Sequence, residues 1–291
     1  MSVLHITTGS NYNVTIDFIK FINGNFTDSS HRFLVIDNPK NVPSEFKNID
    51  NIIIIDRNDN KYYKLIYKYI QKQELVILHS LCLDVYFQMF LLTKPLLMKK
   101  IVWVAWGMDL YQWMRNSNKI VYKLRNYISY NFRQKIKYFV GIFPPDIDYF
   151  KKEFKSNAIT FYASYTGNLY NPLYGKDKYF NKLEDKVKGN GCINIQIGHS
   201  STKTLNHLEV LKSLEKFKGK NIRIYLPLSY GDMKYGDFVE EKAKKLFGDK
   251  AICIREMMSR EDYMEYLSTI DIAIFNTTRQ IGLGNISPML Y

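Results

Sequence analysis

The pattern best suited to chemistry in this sequence is RQIGLGN, at residues 279–285. It follows the apolar run IDIAIF and combines Arg279 with two glycines, Gly282 and Gly284. Glycines let backbone N–H groups approach an anion closely, a following helix adds its positive end, and arginine offers a fork of donors to phosphate oxygens. The pattern therefore predicts a phosphate cradle, and a flexible turn after a strand is the alternative.

A second turn of small residues, IGHSSTKT, follows the apolar run that starts at Ile193. Gly198 permits close approach of a ligand, and the hydroxyl groups of Ser200 and Ser201 precede a helical segment. Such a turn can contact a diphosphate or simply cap the helix, so both interpretations stay open.

Two residues at predicted strand ends are candidates for a catalytic base. Asp109 lies in WGMDLY, after the apolar strand IVWVAW, where a carboxylate between aromatic residues is placed to deprotonate a sugar hydroxyl. It would also serve as an ordinary N-cap of the next helix. His79 ends the strand LVILHS and is the rival base, because imidazole titrates near neutral pH, although a packing role is the alternative.

No metal site is predicted. Asp146 and Asp148 form an Asp-x-Asp pattern in PPDIDYF, but the two preceding prolines and the helical segment that follows favour N-terminal capping. The three cysteines are widely separated and lack zinc or disulfide spacing, which indicates a reducing, cytoplasmic setting. Serine-protease and P-loop signatures are also absent from the sequence.

Residues 119–139 interleave basic and apolar side chains with helical spacing. A basic amphipathic helix of this kind can lie on an anionic membrane, and a solvated face over a core stripe is the alternative. The basic residues assigned to the membrane surface are Lys119, Lys123, Arg125, Arg133, Lys135 and Lys137.

The elements that must position these residues alternate between strand and helix. In the first half, strands are predicted at VLHIT, FLVID, NIIIID, LVILHS, KIVWVAW, FVGIF and AITFYA, with crossover helices at residues 14–22, 62–70, 85–92 and 147–154. Several runs are apolar at every position, as strands buried on both faces of a parallel sheet are. The predicted fold class is therefore α/β.

A stretch rich in Gly, Asn and Lys, residues 166–190, interrupts the alternation, which then restarts. Strands are predicted at INIQIG, IRIYLPL, AICIRE and IDIAIF, and helices at residues 205–217, 238–247 and 260–267. Asp237 and Ser259 are the predicted N-caps, and Gly248 is a predicted helix end. We therefore expect two nucleotide-type domains, residues 1–165 and 191–291, joined by a linker at 166–190.

Composition supports a globular chain. It has 291 residues with 46 % hydrophobic and 15 % aromatic content, which excludes a disordered protein, and 41 basic against 28 acidic residues give a net charge of +13. No apolar run approaches the roughly 20 residues of a spanning helix. The N-terminus lacks a basic region and is interpreted as a strand, not as a signal peptide.

Together the motifs resemble glycosyltransferase family 56, the bacterial TDP-N-acetylfucosamine:lipid II N-acetylfucosaminyltransferases, also called 4-alpha-L-fucosyltransferases. The resemblance runs from the first strand to the last residue. It is carried by WGMDLY, IGHSSTKTLNHLEVL, YLPLSYGDMKYGDFVEEKAKKLFG and YMEYLSTIDIAIFNTTRQIGLGN, in this order along the chain. This chain has His199 and Ile281 where the family usually has Asn and Gln.

The resemblance implies a GT-B fold, in which two Rossmann-like domains face each other across a cleft. The first domain would bind the acceptor, with Asp109 in the cleft, and the second would bind a nucleoside-diphosphate sugar. No cofactor is implied beyond this donor. The donor contacts would be Gly198, Ser200, Ser201, Leu228, Ser229, Tyr230, Arg279, Gln280, Gly282, Gly284 and Asn285.

The resulting hypothesis is a metal-independent glycosyltransferase of bacterial surface polysaccharide synthesis, such as O-antigen, common antigen or capsule. It would pass an N-acetylfucosamine-like deoxyamino sugar, or a related hexose, to a saccharide on a polyprenyl diphosphate. The enzyme would be cytoplasmic and peripheral, on the anionic inner face of the cytoplasmic membrane. Family members continue beyond the position of Tyr291, so the second domain is expected to be incomplete.

Two other functions stay open. One is a truncated, inactive family member that acts as an acceptor-binding or scaffold subunit. The other is a basic nucleic-acid-binding protein, which the net charge permits but for which the sequence carries no DNA- or RNA-binding motif.

Overall fold

The computed structural model describes residues 1–9, 12–81, 83–114, 117–163, 165, 191–278, 281–282, 285–286 and 289. The chain forms two compact units, Met1–Gly167 and Asn168–Tyr291. The predicted linker at residues 166–190 lies outside the described residues. Within the described ranges, no helix is both long and apolar enough to cross a membrane.

The first unit is built on a parallel sheet, whose described strands appear in the order β3-β2-β1-β4-β5-β6-β7. All seven strands coincide with predicted ones, because continuous apolar runs mark strands that are buried on both faces. They are β1 (Ser2–Thr8), β2 (Ser30–Ile36), β3 (Ile52–Ile55), β4 (Leu75–His79), β5 (Ile101–Val104), β6 (Tyr138–Gly141) and β7 (Ile159–Tyr162).

Helices connect these strands and cover both faces of the sheet. The described helices are α1 (Tyr12–Asn25), α2 (Ser44–Lys47), α3 (Tyr62–Lys72), α4 (Val85–Leu92), α5 (Pro95–Met98), α6 (Met108–Tyr111), α7 (Ile120–Lys135) and α8 (Pro144–Phe154). The strand order reverses direction between β1 and β4, and open α/β sheets bind ligands beyond the carboxyl ends of their strands at such a point.

Alternate residues of each strand enter different cores. Leu4 and Ile6 of β1 belong to the cluster formed with α3, α4, α7 and α8, whereas Phe33 and Val35 of β2 join the cluster formed with α1 and α2. We call the second side the α1 face. His5 of β1 lies on this face, with its ring stacked on that of Phe33 at 4.6 Å.

The second unit contains a parallel sheet whose described strands have the order β10-β9-β8-β11. All four were predicted from the sequence. They are β8 (Ile193–Ile197), β9 (Ile222–Pro227), β10 (Ala251–Ile254) and β11 (Ile272–Ile274), and the described helices are α9 (His207–Leu214), α10 (Met233–Phe247) and α11 (Arg260–Leu267).

The predicted caps of this unit are confirmed at two positions and wrong at one. Ser259 caps α11 by accepting from Asp262 N–H, and Gly248 ends α10 with a positive φ of 54°. The N-cap of α10 is Asp232, not Asp237. The helix extends through Gly236, where close packing leaves no room for a side chain: a Cβ atom would lie 2.5 Å from Ser201 Oγ.

Candidate functional site

The turn after β8 is closed by backbone hydrogen bonds at the carboxyl edge of the second sheet. Gly198 has a positive φ of 65°, and a Cβ atom at this position would lie 2.6 Å from His207 Nε2. Its N–H donates to Ile274 O over 2.9 Å, which ties the turn to β11. The glycine is therefore needed for the shape of the turn.

The same turn is joined to the turn after β9 through Ser201. Its N–H donates to Tyr230 O over 2.7 Å, and Asp232 N–H donates to Ser201 O over 2.9 Å. The Ser201 hydroxyl donates to Leu228 O over 2.9 Å. These hydrogen bonds fix the two turns to each other without using a solvent-facing side chain.

Burial changes the predicted roles of several donor-site residues. Ser201 and Leu228 are fully buried, and Ser200 is 1 % exposed and bonded to Thr202 Oγ1. Direct donor contact is not open to the Ser201 and Leu228 side chains, because both are fully buried. Tyr230 is exposed and Ser229 is half-buried, so these two side chains remain available.

The turn after β11 packs on the imidazole ring of His199. A Cβ atom at Gly282 would lie 2.8 Å from His199 Nδ1, and Gly282 has a positive φ of 73°. A helical turn starts here, since Asn285 N–H donates to Gly282 O over 2.8 Å, and Asn285 Oδ1 accepts from Tyr263 Oη. Three further predicted donor residues lie outside the described part of the chain: Arg279, Gln280 and Gly284.

His199 is the residue that brings these turns together, and no role was predicted for it from the sequence. Its ring lies 6.2 Å from the ring of Tyr230 and 5.9 Å from that of Phe275. It therefore touches the turns after β9 and β11 while belonging to the turn after β8. Its position directly after Gly198 was the one available signal.

In the first unit, Asp109 links the ends of two strands. Its Oδ2 accepts from Leu81 N–H and from Trp103 Nε1, both over 2.7 Å, and its Oδ1 accepts from Trp106 N–H over 2.9 Å. It lies in the first turn of α6, whose N-cap is Gly107. These three N–H donors take up most of the acceptor sites of the carboxylate, so Asp109 has a clear structural role at the strand ends.

His79, the rival base, is 5 % exposed, and burial lowers its pKa to about 3. Both ring nitrogens have partners. Nε2 is 2.9 Å from His5 Nδ1, and Nδ1 is 2.5 Å from Tyr165 Oη. His79 is therefore a neutral member of a hydrogen-bonded row, and it does not face a ligand directly.

Arg133 was expected on the membrane surface, and this prediction is wrong. The side chain is 4 % exposed, and it donates to Ser129 O and Asp109 O, each over 3.0 Å. Its guanidinium lies between the rings of Trp103, Trp113 and Phe154 at 5.3–5.8 Å. It takes a core position because the buried face of α7 carries it toward these rings.

The other predicted surface cations divide by exposure. Arg125 is half-buried. Four lysines of the set are exposed: Lys119, Lys123, Lys135 and Lys137.

Asp146 and Asp148 differ in burial and hydrogen bonding, as the capping interpretation predicts. Asp146 is 1 % exposed and accepts from Tyr111 Oη over 2.6 Å and from Phe143 N–H over 3.1 Å, which completes a cap of α8. Asp148 is exposed. Among the residues that the structure describes, no cluster of three His, Cys, Asp or Glu side chains is suited to hold a metal ion.

Solved structures of low sequence identity share this fold. A glycosyltransferase from Rickettsia africae ESF-5 has a TM-score of 0.59 and 16 % identity, over 94 % of this chain and 72 % of that one. Anabaena Alr3699/HepE in complex with UDP has a TM-score of 0.62 and 10 % identity, over 94 % and 73 %. The Candida albicans trehalose-6-phosphate phosphatase N-terminal domain has a TM-score of 0.65 and 10 % identity, over 99 % and 79 %.

The family model described as 4-alpha-L-fucosyltransferase, glycosyl transferase group 56, matches residues 3–290. This match covers nearly the whole chain, and the structural relatives show the GT-B fold. The chain therefore belongs to glycosyltransferase family 56 and is a GT-B transferase.

Proposed function

We propose that this transferase moves an N-acetylfucosamine-like deoxyamino sugar, or a related hexose, to a polyprenyl-diphosphate-linked saccharide in bacterial surface polysaccharide synthesis. An acceptor hydroxyl attacks the anomeric carbon, the bond from that carbon to the diphosphate oxygen breaks, and the hydroxyl proton passes to a base. The nucleoside diphosphate leaves.

The main support for a nucleoside-diphosphate sugar donor is that three turns meet around His199 at one edge of the second sheet. Gly198 and Gly282 keep side chains out of this edge, and a helical turn begins at Gly282. Backbone N–H groups beside a helix start favour a diphosphate. Arg279 and Gln280, which come shortly before Gly282 in the sequence, would add charged and polar donors for the diphosphate, so we propose transfer without a metal cofactor.

One structural relative supports a nucleotide-sugar donor: Anabaena Alr3699/HepE was solved with UDP and with UDP-glucose. Thermal shift with dTDP, UDP and GDP tests the donor site, and radiolabel transfer from the matching sugar nucleotide to bacterial lipid extracts tests the acceptor. We expect one nucleotide to raise the melting temperature and label to enter lipid in the presence of EDTA. The donor half fails if no nucleotide stabilises the chain.

The acceptor half rests on an exposed apolar surface of the first unit. On α7, Ile120, Leu124 and Tyr127 recur at helical spacing and are 85 %, 59 % and 67 % exposed. The neighbouring helix α4 packs against α7 and adds Tyr86 and Met89, which are 67 % and 47 % exposed. We call these five side chains the α4–α7 surface.

Charges beside this surface suit an anionic bilayer. Lys119, the N-cap of α7, and Lys123, in its first turn, are both exposed. Apolar side chains can enter the acyl boundary while cations meet lipid phosphates, as in amphipathic helices that lie in the membrane plane. We therefore place the enzyme at the inner face of the cytoplasmic membrane, where a polyprenyl-linked acceptor is within reach.

A further inference from the structure

Three histidines lie side by side on the α1 face of the first sheet. His31 is on β2, His5 is on β1 and His79 ends β4. In the strand register, His31 pairs with Val3 and His5 pairs with Ile77, so each step across the sheet moves two residues toward the carboxyl edge. The row therefore crosses the sheet diagonally and ends at that edge.

Hydrogen bonds connect the row to two aromatic residues. His31 Nδ1 is 2.9 Å from His5 Nε2, and His5 Nδ1 is 2.9 Å from His79 Nε2. His79 Nδ1 is 2.5 Å from Tyr165 Oη, and Trp106 Nε1 donates to the same oxygen over 2.7 Å. The result is one continuous chain from Tyr165 at the carboxyl edge to His31.

The row is buried at His5, His79 and Tyr165, and its histidines are uncharged near neutral pH. His5 is 1 % exposed, His79 is 5 % exposed and Tyr165 is 8 % exposed. The ring of Phe18 on α1 lies against all three at 4.9–5.5 Å. Burial lowers the pKa of each histidine in the row, that of His5 well below its ordinary value, so each ring carries one N–H and one lone pair near neutral pH.

The indole of Trp106 sets the direction of donation. Indole only donates, so it occupies a lone pair of the Tyr165 oxygen, and the phenolic hydrogen is directed to His79 Nδ1. His79 then holds its proton on Nε2 and donates to His5, which in turn donates from Nε2 to His31.

We propose that Tyr165, His79, His5 and His31 form a proton relay that removes the proton of the acceptor hydroxyl from the carboxyl edge of the first sheet. This inference rests on the proposed glycosyl transfer. The relay would supply the proton acceptor that the reaction requires, because the carboxylate of Asp109 already accepts three N–H bonds.

Each step of the relay transfers one proton between neighbouring groups. The acceptor O–H bond breaks and Tyr165 Oη takes that proton, while its own proton passes to His79 Nδ1. The Nε2 proton of His79 passes to His5 Nδ1, and that of His5 passes to Nδ1 of His31. His31 is half-buried, and its Nε2 is a buried atom with no hydrogen-bond partner among the described residues, so the arriving proton stays on His31, which becomes an imidazolium. His79 and His5 have then exchanged tautomers, and the row resets when that proton returns along it after product release.

The tautomers can be read without any activity assay. We expect ¹⁵N spectra of the histidine-labelled full chain near pH 7 to show the Nε2–H tautomer at His5, His31 and His79. An Nδ1–H tautomer at His5 or His79 would reverse the direction of donation and overturn the relay. Because this measurement needs no substrate, its failure is separate from failure of the proposed function.

The relay also predicts a kinetic signature. His5→Phe breaks the row but can keep the ring stack on Phe33, which is 4.6 Å from His5. We expect kcat to fall by about 10-fold or more, with KM and nucleotide affinity unchanged, and the solvent deuterium isotope effect on kcat to disappear. Phe18→Leu alters packing around the row without removing a hydrogen bond, so it is the matched control and should keep the isotope effect. A His5→Phe enzyme with unchanged kcat and isotope effect would overturn the proposal.

Discussion

Gly282 and His199 lie so close that a Cβ atom at Gly282 would be 2.8 Å from both Nδ1 and Cε1 of the imidazole ring. The glycine also has a positive φ of 73°, where a side chain costs about 1–2 kcal/mol. We therefore expect Gly282→Ala to shift the turn after β11 and lower nucleoside-diphosphate affinity by about 10-fold, as measured by calorimetric titration.

Gly219→Ala is the matched control, because no atom lies within 4 Å of a Cβ atom at Gly219. This variant should bind the nucleotide as the wild-type chain does. Equal affinities in the Gly282 variant and the control would mean that the turn after β11 does not contribute to the donor site.

Asp109→Asn should lower the free energy of unfolding of the first unit. The asparagine amide accepts hydrogen bonds only at its oxygen. An N–H group of Leu81, Trp103 or Trp106 therefore loses its acceptor, at a cost of about 1–3 kcal/mol. The measurement is urea unfolding followed by tryptophan fluorescence. Asp148→Asn, at an exposed carboxylate, is the control and should unfold as the wild-type chain does.

The same variant tests catalysis by Asp109. If the carboxylate is the base, kcat should fall by about 10² to 10⁴ with little change in nucleotide affinity. Loss of stability with nearly normal kcat would assign Asp109 to structure alone, and the relay through Tyr165 would then be the remaining candidate for proton removal.

The strands and their parallel pairing could be predicted because their signal is local. Runs such as the one in β5 are apolar at every position, which identifies strands between two helical layers. The start of α10 was missed because Asp237 matches a local capping pattern, whereas the helix continues back through Gly236, which contacts Ser201 in a distant turn. A local pattern does not contain that contact.

The candidate site was predicted in outline but not in its detailed roles. The glycines after β8 and β11 are readable from the sequence, and the structure brings the turns that contain them together. The central role of His199, the burial of Arg133 and the histidine row depend on side chains from separate strands and helices. Arg133, for example, interacts with a carbonyl 24 residues earlier in the chain. Spacing alone does not reveal such partners.

Acidification should destabilise the first unit. Burial lowers the pKa of His79 to about 3 and that of His5 well below its ordinary value, so below about pH 6.5 these histidines take up protons only when the chain unfolds. The unfolded state then binds more protons. The free energy of unfolding should therefore fall as the pH drops toward the folded-state values, by about 1.4 kcal/mol per pH unit for each such histidine.

Tryptophan fluorescence can follow this loss selectively, because Trp103, Trp106 and Trp113 all belong to the first unit. Urea unfolding at pH 7 and pH 5 is the measurement, and His79→Asn should reduce the difference between the two. A free energy of unfolding that is the same at both pH values would contradict the neutral state assigned to the row.

Removal of the apolar side chains of α7 should weaken membrane binding in a way that salt does not reproduce. The triple variant Ile120→Ser, Leu124→Ser, Tyr127→Ser loses side chains that are each worth up to about 1.5–3 kcal/mol when fully buried in an apolar phase. Lys119→Gln and Lys123→Gln should cost only about 1 kcal/mol per charge, and high salt should mimic that loss. Sedimentation with anionic vesicles measures both effects. Met257→Ser, at a 71 % exposed position of the second unit, is the control and should sediment like the wild-type chain. Wild-type binding that vanishes completely in high salt would show that charge alone holds the chain to the bilayer, and absence of binding at low salt would remove the membrane assignment of the α4–α7 surface.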